Sequence, residues 1–224
     1  IIGLELSSTD GAPLRSYAAG AHVDVYVKSG LIRQYSLTGD PSDPTKYRLG
    51  ILLDPKSRGG STAIHTQFQT GAQIKIGHPR NNFPMGRNVA YSVLFAGGIG
   101  ITPMLNMAYA LEASGASWEL HYCGRTADRL AFTDELKRFG DKVQVHIDSG
   151  PKAQHLDINA VLAGASTDKH LYVCGPNGFM DFIVISAKNN AWDVNNIHLE
   201  RFGAEVNTDG APFTVIAQKS GKTF

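Results

Sequence analysis

Short apolar or alternating runs, separated by Gly, Pro, Asp and Ser, fill the first part of the chain. The clearest runs cover residues 22–27, 33–37, 47–53 and 72–76. Short strands at this spacing, with turn residues between them, are typical of a small antiparallel β-barrel. We therefore predict a barrel domain over residues 1–86.

After Arg87 the pattern changes, and apolar runs now alternate with helical segments. Residues 103–112 have the i, i+3, i+4, i+7 spacing of one apolar helix face, with Thr102 and Pro103 suited to the N-cap and first helical positions. Strand–helix alternation predicts an α/β domain, a doubly wound parallel sheet over residues 87–206 that binds ligands at the carboxyl ends of its strands. The predicted strands are residues 92–96, 119–123, 143–147, 170–174 and 197–202.

The last part of the chain, residues 207–224, starts with a polar passage that contains Gly and Pro and continues into an apolar run at 213–218. We interpret it as a linker and the first strand of a further domain. The chain also begins inside a strand-like run, so we expect these 224 residues to be part of a longer protein.

Composition narrows the class of protein. A length of 224 residues, 42% of them hydrophobic, suffices for two domains of about 100 residues each. The formal net charge of +1 gives no general reason to expect nucleic acid or an anionic membrane surface as a partner. We find no run of ~20 apolar residues and no basic-then-apolar leader, and therefore expect a cytoplasmic protein.

The metal-binding residue types are few or scattered. Cys123 and Cys174 are the only cysteines, and each ends an apolar run, so we expect two free thiols. The common iron–sulfur clusters need more Cys ligands than this chain has. The eight His residues lack ligand-like spacing, so no metal site is expected.

Two glycine-containing turns fall between a predicted strand and a predicted helix. In the first, Gly98 and Gly100 would let the backbone approach a phosphate at a helix N-terminus, although the spacing differs from G-x-G-x-x-G. In the second, Cys174, Gly175 and Pro176 form a flat, narrow floor for a planar ring. Taken alone, each is compatible with an ordinary tight connection, and Cys174 with a small buried core residue.

Two segments of the barrel half also suggest cofactor binding. Arg33 and Tyr35 share one face of a strand beside Gln34 and Ser36, so a cation, an aromatic ring and a hydroxyl lie close together. The loop 58–62 offers backbone amides, a cation and two hydroxyls to a phosphate. An ordinary strand and an exposed turn are the alternatives.

The four motifs together, in this order, resemble the ferredoxin–NADP reductase superfamily, and residues 200–203 (Glu-Arg-Phe-Gly) make the chain similar to its phthalate dioxygenase reductase branch over essentially its whole length. The resemblance implies an FMN barrel, an NADH domain and a following [2Fe–2S] ferredoxin domain, of which residues 207–224 would supply only the linker and the first strand and none of the cluster cysteines. The cluster would belong to the full-length protein only.

The resemblance also implies residue roles. Ser36, Thr102 and Cys174 would act at the reacting rings, with Ser36 placed to hydrogen-bond the hydride-accepting nitrogen. The remaining cofactor contacts would be Arg33, Gln34, Tyr35, Gly50, Ile51, Leu52, Arg58, Gly59, Gly60, Ser61, Thr62, Gly98, Gly100, Arg125, Gly175, Pro176 and Phe202.

Two details stay open on the residues alone. Arg125 and Arg129 favour a 2′-phosphate on the nucleotide ribose, whereas Asp128 favours the free 2′-hydroxyl; the resemblance implies NADH. Glu200 is either a proton relay beside the ring or a structural carboxylate paired with Arg201.

The expected function is the NADH-dependent, FMN-containing reductase component of a Rieske-type aromatic-ring dioxygenase or demethylase, passing hydride to FMN and single electrons onward. We expect a monomer whose partner is the oxygenase component. The alternatives are a free-standing flavin or ferric reductase and a non-catalytic nucleotide-binding regulator.

Overall fold

In the computed structural model, the described residues are 1–27, 30–55, 57, 59–203 and 214, and the backbone of 216–217 and 222–223. The first part of the chain forms antiparallel strands, as predicted. They are β1 (Ile2–Leu6), β2 (Ala21–Tyr26), β3 (Ile32–Ser36), β4 (Tyr47–Ile51) and β5 (Arg80–Asn81).

These strands form two sheets around one core. β1 pairs with β4, β2 lies between β3 and β5, and a bridge between Leu37 and Leu49 connects the two sheets. Leu37, Leu49, Val23 and Val25 point into the shared core and are at most 1% exposed. Inward apolar and outward polar residues alternate along these strands because successive side chains of a strand point to opposite faces.

Two predictions for this half are wrong in detail. Residues 72–76 do not form a strand; only Ile76 makes a bridge, to Val25, and the Lys75 carbonyl accepts the Tyr26 N–H at 3.0 Å. Residues expected to form a phosphate-binding loop instead start a helix, α1 (Gly60–Gln67). Burial of Ile64 in the barrel core stabilises this helix despite its weak sequence pattern.

The second half is the predicted parallel sheet. Its strands lie in the order β10-β9-β6-β7-β8, and every pair is parallel. The bounds are β6 (Tyr91–Gly97), β7 (Ser117–Gly124), β8 (Val143–Ile147), β9 (Lys169–Cys174) and β10 (Ile197–Glu200). The last strand ends two residues before the predicted Phe202.

Helices cover both faces of this sheet. They are α2 (Ile101–Ala113), α3 (Thr133–Leu136), α4 (Ile158–Leu162) and α5 (Asn177–Asn189). α2 packs in the core that contains Leu94 and Leu120, and α4 and α5 pack in the core that contains Val93 and Phe95. Alternate residues of β6 thus face opposite helical layers, as in a doubly wound sheet.

Helix α2 begins earlier than predicted. A 3₁₀ turn at Gly98–Gly100 runs directly into it, so Gly100 is the N-cap residue and Thr102 lies within the first turn. The Thr102 hydroxyl donates a hydrogen bond to the Ile99 carbonyl at 3.0 Å instead of capping the helix.

A buried polar residue joins the two halves. Asn106 of α2 is 0% exposed; its Oδ1 accepts the Gly20 N–H at 3.0 Å, and its Nδ2 donates to the Gly39 carbonyl at 2.6 Å. Gly20 and Gly39 belong to the barrel half. The amide side chain of Asn106 therefore fixes the barrel to the α/β domain through both its donor and its acceptor.

Only part of the prediction for residues 207–224 can be compared with the structure. An antiparallel pair, β11 (Ile216–Ala217) and β12 (Lys222–Thr223), lies within the expected new segment. The predicted linker 207–212 and the ends of the predicted strand 213–218 lie outside the described residues. In the part of the chain that the structure describes, no helix has the length and apolar character needed to cross a membrane.

Asn106→Ala should destabilise the protein by about 2 kcal/mol, because it leaves the buried Gly20 N–H without its acceptor and the Gly39 carbonyl with only the longer 3.4 Å hydrogen bond from Tyr17. The measurement is urea unfolding followed by circular dichroism. Asn195→Ala, at an exposed side chain that bonds only locally to Asp193, is the matched control and should change stability by less than about 0.5 kcal/mol. Equal effects of the two substitutions would contradict the role of Asn106.

Candidate active site

The two predicted turns meet at the point where the strand order of the parallel sheet reverses. β6 and β9 are neighbours, yet the chain continues from β6 towards β7 on one side and from β9 towards β10 on the other. In open α/β sheets, ligands bind outside the carboxyl ends of the strands at such a reversal. The turn Gly98–Gly100 and the pair Gly175 and Pro176 both lie there.

Gly98 and Gly100 have different structural roles. A methyl group on Gly100 would lie 2.1 Å from the Cys174 carbonyl oxygen, so this glycine allows α2 to pack against the end of β9. Gly98 has a φ of +53° and open space around it, and it lines a cleft. The structure thus corrects the expectation that Gly100 faces the cleft: Gly100 is buried against β9, and Gly98 lines the cleft.

The cleft has a volume of about 1690 Å³ and runs between the barrel and the parallel sheet. Of the predicted cofactor contacts it is lined by Leu52, Gly98, Arg125, Gly175, Pro176 and Phe202. Its apolar walls also include Leu53, Phe132, Phe179 and Phe182, which the sequence analysis did not single out. An aromatic-walled cleft of this size suits large planar ligands.

One end of the cleft carries charges of both signs. Arg125, Asp128, Arg129 and Asp148 line it. The loop after β8 comes close because the Asp148 N–H donates to the Gly124 carbonyl at 3.0 Å. Asp148 therefore adds a second carboxylate that the sequence analysis missed, since only the pairing of β7 with β8 brings it there.

An anion-compatible corner lies next to the cleft on the barrel side. A methyl group on Gly60 would lie 2.4 Å from Arg33 Nε. The side chain of Arg33, which lies on β3, therefore packs against the first turn of α1. The Ser61 hydroxyl accepts the N–H of Asp54, a cleft residue, at 3.3 Å. The helix N-terminus and a nearby cation together favour a phosphate.

The rest of the predicted phosphate-binding segment, residues 58–62, is described only from Gly59 onward. Gly59 takes a left-handed conformation with φ +89°, immediately before Gly60, Ser61 and Thr62 in the first turn of α1. Arg58 lies outside the described residues.

The predicted flavin contacts of β3 and β4 do not all lie together. Tyr35 is half-buried, and burial raises the pKa of its hydroxyl. Gln34 is exposed on the opposite face of β3, where it hydrogen-bonds Asp24, so its side chain is directed away from Arg33 and Tyr35. Ile51 is 0% exposed and belongs to the barrel core.

Gly50 of β4 lies directly against the α/β domain. A methyl group there would lie 2.8 Å from the Thr102 Cγ2 and 2.9 Å from the Phe132 ring. Thr102 is 2% exposed and does not line the cleft. Its position thus sets the approach of the two halves.

The half-buried carboxyl group of Glu200 lies across the interface from Ser36. The Ser36 hydroxyl donates to Glu200 Oε2 at 3.3 Å. Burial raises the pKa of Glu200 to about 7, although the Ser36 hydrogen bond partly offsets it. Arg201 instead contacts Asp181 at 2.8 Å and Asn177 at 3.0 Å, so it is not the partner of Glu200.

Cys174 lies beside this pair in the sheet, opposite Glu200 in the register of β9 and β10. It is 0% exposed and does not line the cleft. Burial, and next the Glu200 charge, raise the pKa of its thiol, so it stays a neutral group. The structure therefore places Cys174 inside the protein, below the floor made by Gly175 and Pro176.

The comparisons with known proteins agree with this geometry. Residues 94–184 match the oxidoreductase NAD-binding domain family. The chain is 47% identical to the vanillate O-demethylase oxidoreductase of Pseudomonas sp. strain HR199, with 100% of this chain and 72% of that protein covered. It is 36% identical to the phthalate dioxygenase reductase of Burkholderia cepacia, with 100% and 70% covered.

A solved phthalate dioxygenase reductase, described as a modular structure for electron transfer from pyridine nucleotides to [2Fe–2S], superimposes with a TM-score of 0.85. The match has 35% sequence identity and covers 99% of this chain and 70% of that one. Fold and site thus define an oxidoreductase with the two-domain fold of the ferredoxin–NADP reductases and an NAD-binding domain. The chain belongs to the family of oxygenase reductases that contains the vanillate O-demethylase oxidoreductases and phthalate dioxygenase reductase.

Glu200→Gln should change how stability depends on pH. The pKa of Glu200 is about 7 in the folded protein against an ordinary value of 4.5, so the folded state holds this proton more tightly than the unfolded chain. Its contribution to stability is present below pH 4.5 and is lost as the pH rises through 7. Between pH 5 and pH 8 the variant should gain about 2 kcal/mol relative to the wild type.

The measurement is urea unfolding of both proteins at several pH values across this range. Parallel curves for the wild type and Glu200→Gln would show that Glu200 has an ordinary carboxyl environment.

Proposed function

We propose that this protein is the NADH-dependent, FMN-containing reductase component of a Rieske-type aromatic-ring dioxygenase or demethylase system. The observation that carries the proposal is the cleft itself. Its sheet-side wall has the glycine turns at the strand reversal, and its barrel-side wall adjoins the corner formed by Arg33 and α1. Two large cofactors can therefore be held by different halves of the chain against one shared space.

The residues present fit FMN. Arg33 and the first turn of α1 suit a phosphate monoester, and the absence of a side chain at Gly60 lets the Arg33 side chain come close. Bound FMN supplies the redox chemistry, because a flavin accepts hydride from NADH and releases electrons singly. The protein contributes binding, orientation and the local supply of protons.

The residues also fit a nicotinamide dinucleotide. Gly98 and Ile99 line the cleft at the N-terminal end of α2, whose dipole favours a pyrophosphate, and Gly175 and Pro176 form a flat surface beside it. Asp128 and Asp148 oppose an additional phosphate on the ribose, which favours NADH over NADPH. Arg125 and Arg129 then serve the phosphates common to both nucleotides.

Ser36 and Glu200 hold a proton at the junction of the two halves. Because the pKa of Glu200 is near 7, its carboxyl group can take up or give up a proton near neutral pH through the Ser36 hydroxyl. Ser36 is thus assigned to the flavin side. Cys174 and Thr102 are assigned to packing beneath and between the two sites, since both are buried.

Electrons would pass on to a [2Fe–2S] centre and from there to a Rieske-type oxygenase component. The two cysteines of this chain cannot ligate that cluster by themselves. The proposal further includes a monomeric protein in the cytoplasm.

The first test is to mix FMN-loaded protein with NADH anaerobically in a stopped-flow instrument. Flavin absorbance should bleach rapidly with NADH and, at the same subsaturating concentration, about 10² times more slowly with NADPH, because a 2′-phosphate beside Asp128 and Asp148 weakens binding by roughly 3 kcal/mol. Mass spectrometry of the released flavin should give FMN. Unchanged absorbance at saturating NADH would refute the proposal, and a weakly held, exchangeable flavin would favour a free-standing flavin reductase.

The second test is Arg33→Gln, which removes the cation from the phosphate corner. FMN should bind about tenfold more weakly, as expected for loss of one charge-assisted hydrogen bond. Isothermal titration of the flavin-free protein measures this. Arg15→Gln, at an exposed arginine of the same domain, is the control and should bind FMN like the wild type; equal affinity of both variants would exclude Arg33 from the site.

A further inference from the structure

We propose that Phe132 is a positioning residue for hydride transfer: its ring holds strand β4 of the barrel at a set distance from the nucleotide-binding domain. This inference rests on the proposed reductase function. It concerns a residue that no motif in the sequence marks.

The contacts of Phe132 span the interface. Its ring edge is the nearest atom group, after the Thr102 methyl group, to the space where Gly50 would carry a side chain, at 2.9 and 3.0 Å. The same residue lines the cleft. Phe132 therefore belongs to the binding cleft and to the domain contact at once.

The backbone of Phe132 is held in an unfavourable conformation. Its φ of +61° and ψ of +15° lie in the left-handed region, which a bulky side chain rarely adopts. The only other non-glycine residues in this region, among those described, are Asn88 and Ala191. Strain of this kind persists where the surrounding structure imposes it, and it is concentrated at functional sites.

Neighbouring side chains lock the ring in place. The Arg48 guanidinium of β4 lies 5.3 Å from the centre of the Phe132 ring and forms a salt bridge with Glu135 of α3. Glu135 also accepts a hydrogen bond from Tyr109 of α2. The pair Arg48 and Glu135 has about one-fifth of each side chain exposed, so water screens it only partly.

The same loop reaches the nucleotide end of the cleft. Arg129, Leu130 and Ala131, which precede Phe132, line the cleft beside Arg125. The Ala131 N–H donates to the Tyr122 hydroxyl at 3.0 Å, which fixes the loop to β7. Residues 129–132 thus connect the nucleotide end of the cleft with the β4 backbone. A shift of about 1 Å in such a contact is enough to slow a reaction that depends on alignment.

The experiment compares Phe132→Ala, which removes the ring and keeps the strained backbone, with Phe132→Gly, which removes both. Ala191→Gly is the matched control, because Ala191 has the same φ of +61° at an exposed site after α5. In the FMN-loaded proteins, both Phe132 variants should reduce the flavin about tenfold more slowly at saturating NADH, with KM for NADH within about twofold of the wild type. Ala191→Gly should match the wild type.

A second readout needs no cofactor. Hydrogen–deuterium exchange of the flavin-free proteins should be faster in the β4 peptide in both Phe132 variants and unchanged in Ala191→Gly. If Phe132→Gly matches Ala191→Gly in rate and exchange, the residue only carries strain and the inference is overturned.

Two further outcomes are distinguishable. A wild type that NADH does not reduce refutes the proposed function, while the exchange experiment still tests the contact. Should both Phe132 variants fail to fold, Glu135→Gln tests the same positioning by weakening the Arg48 salt bridge with the ring retained. A two- to threefold slower reduction with faster β4 exchange would support the role, and wild-type behaviour in both would overturn it.

Discussion

The close approach of Gly50 to Thr102 and Phe132 is the constraint on which the site depends. The two proposed half-sites lie on different domains and can cooperate only if the domains meet at a reproducible distance. Here Gly50, the one position of β4 without a side chain, lies directly against Thr102 in the first turn of α2. Asn106, four residues further along the same helix, secures this contact with buried hydrogen bonds to two barrel backbone groups. The helix that offers its N-terminus to the cleft is thus also the helix that holds the barrel.

Close backbone packing also determines the shape of the sheet end of the cleft. Gly100 must be a glycine because α2 starts against the carbonyl of Cys174, which leaves Gly98 to face the open cleft. The position of Glu200 is set at the same end of the sheet, because β10 pairs with β9 and puts this residue opposite Cys174. Burial between the two domains, with only the Ser36 hydroxyl as a described hydrogen-bond donor, moves its pKa close to neutrality.

Much of the fold could be predicted because its signals are local. Alternating short runs predicted the antiparallel half, and buried apolar runs followed by glycine turns predicted all five parallel strands. The start of α2 was wrong because a 3₁₀ turn merges with the helix. Helix α1 was missed because its stability comes from Ile64 packing in the barrel core, a contact with residues distant in sequence.

The sequence by itself determined the fold class, the two glycine turns and the resemblance to the oxygenase reductases, since each depends on patterns that are local in the chain, whereas the packing of Arg33 against α1 joins residues distant in sequence. Only the tertiary structure decided that Glu200 faces Ser36 and not Arg201, that Cys174 lies below the cleft floor, that Gln34 is directed away from the site, and that Asp148 and Phe132 join it. Those outcomes depend on strand register and domain contact. Both are set by burial summed over the whole molecule, which no local pattern records.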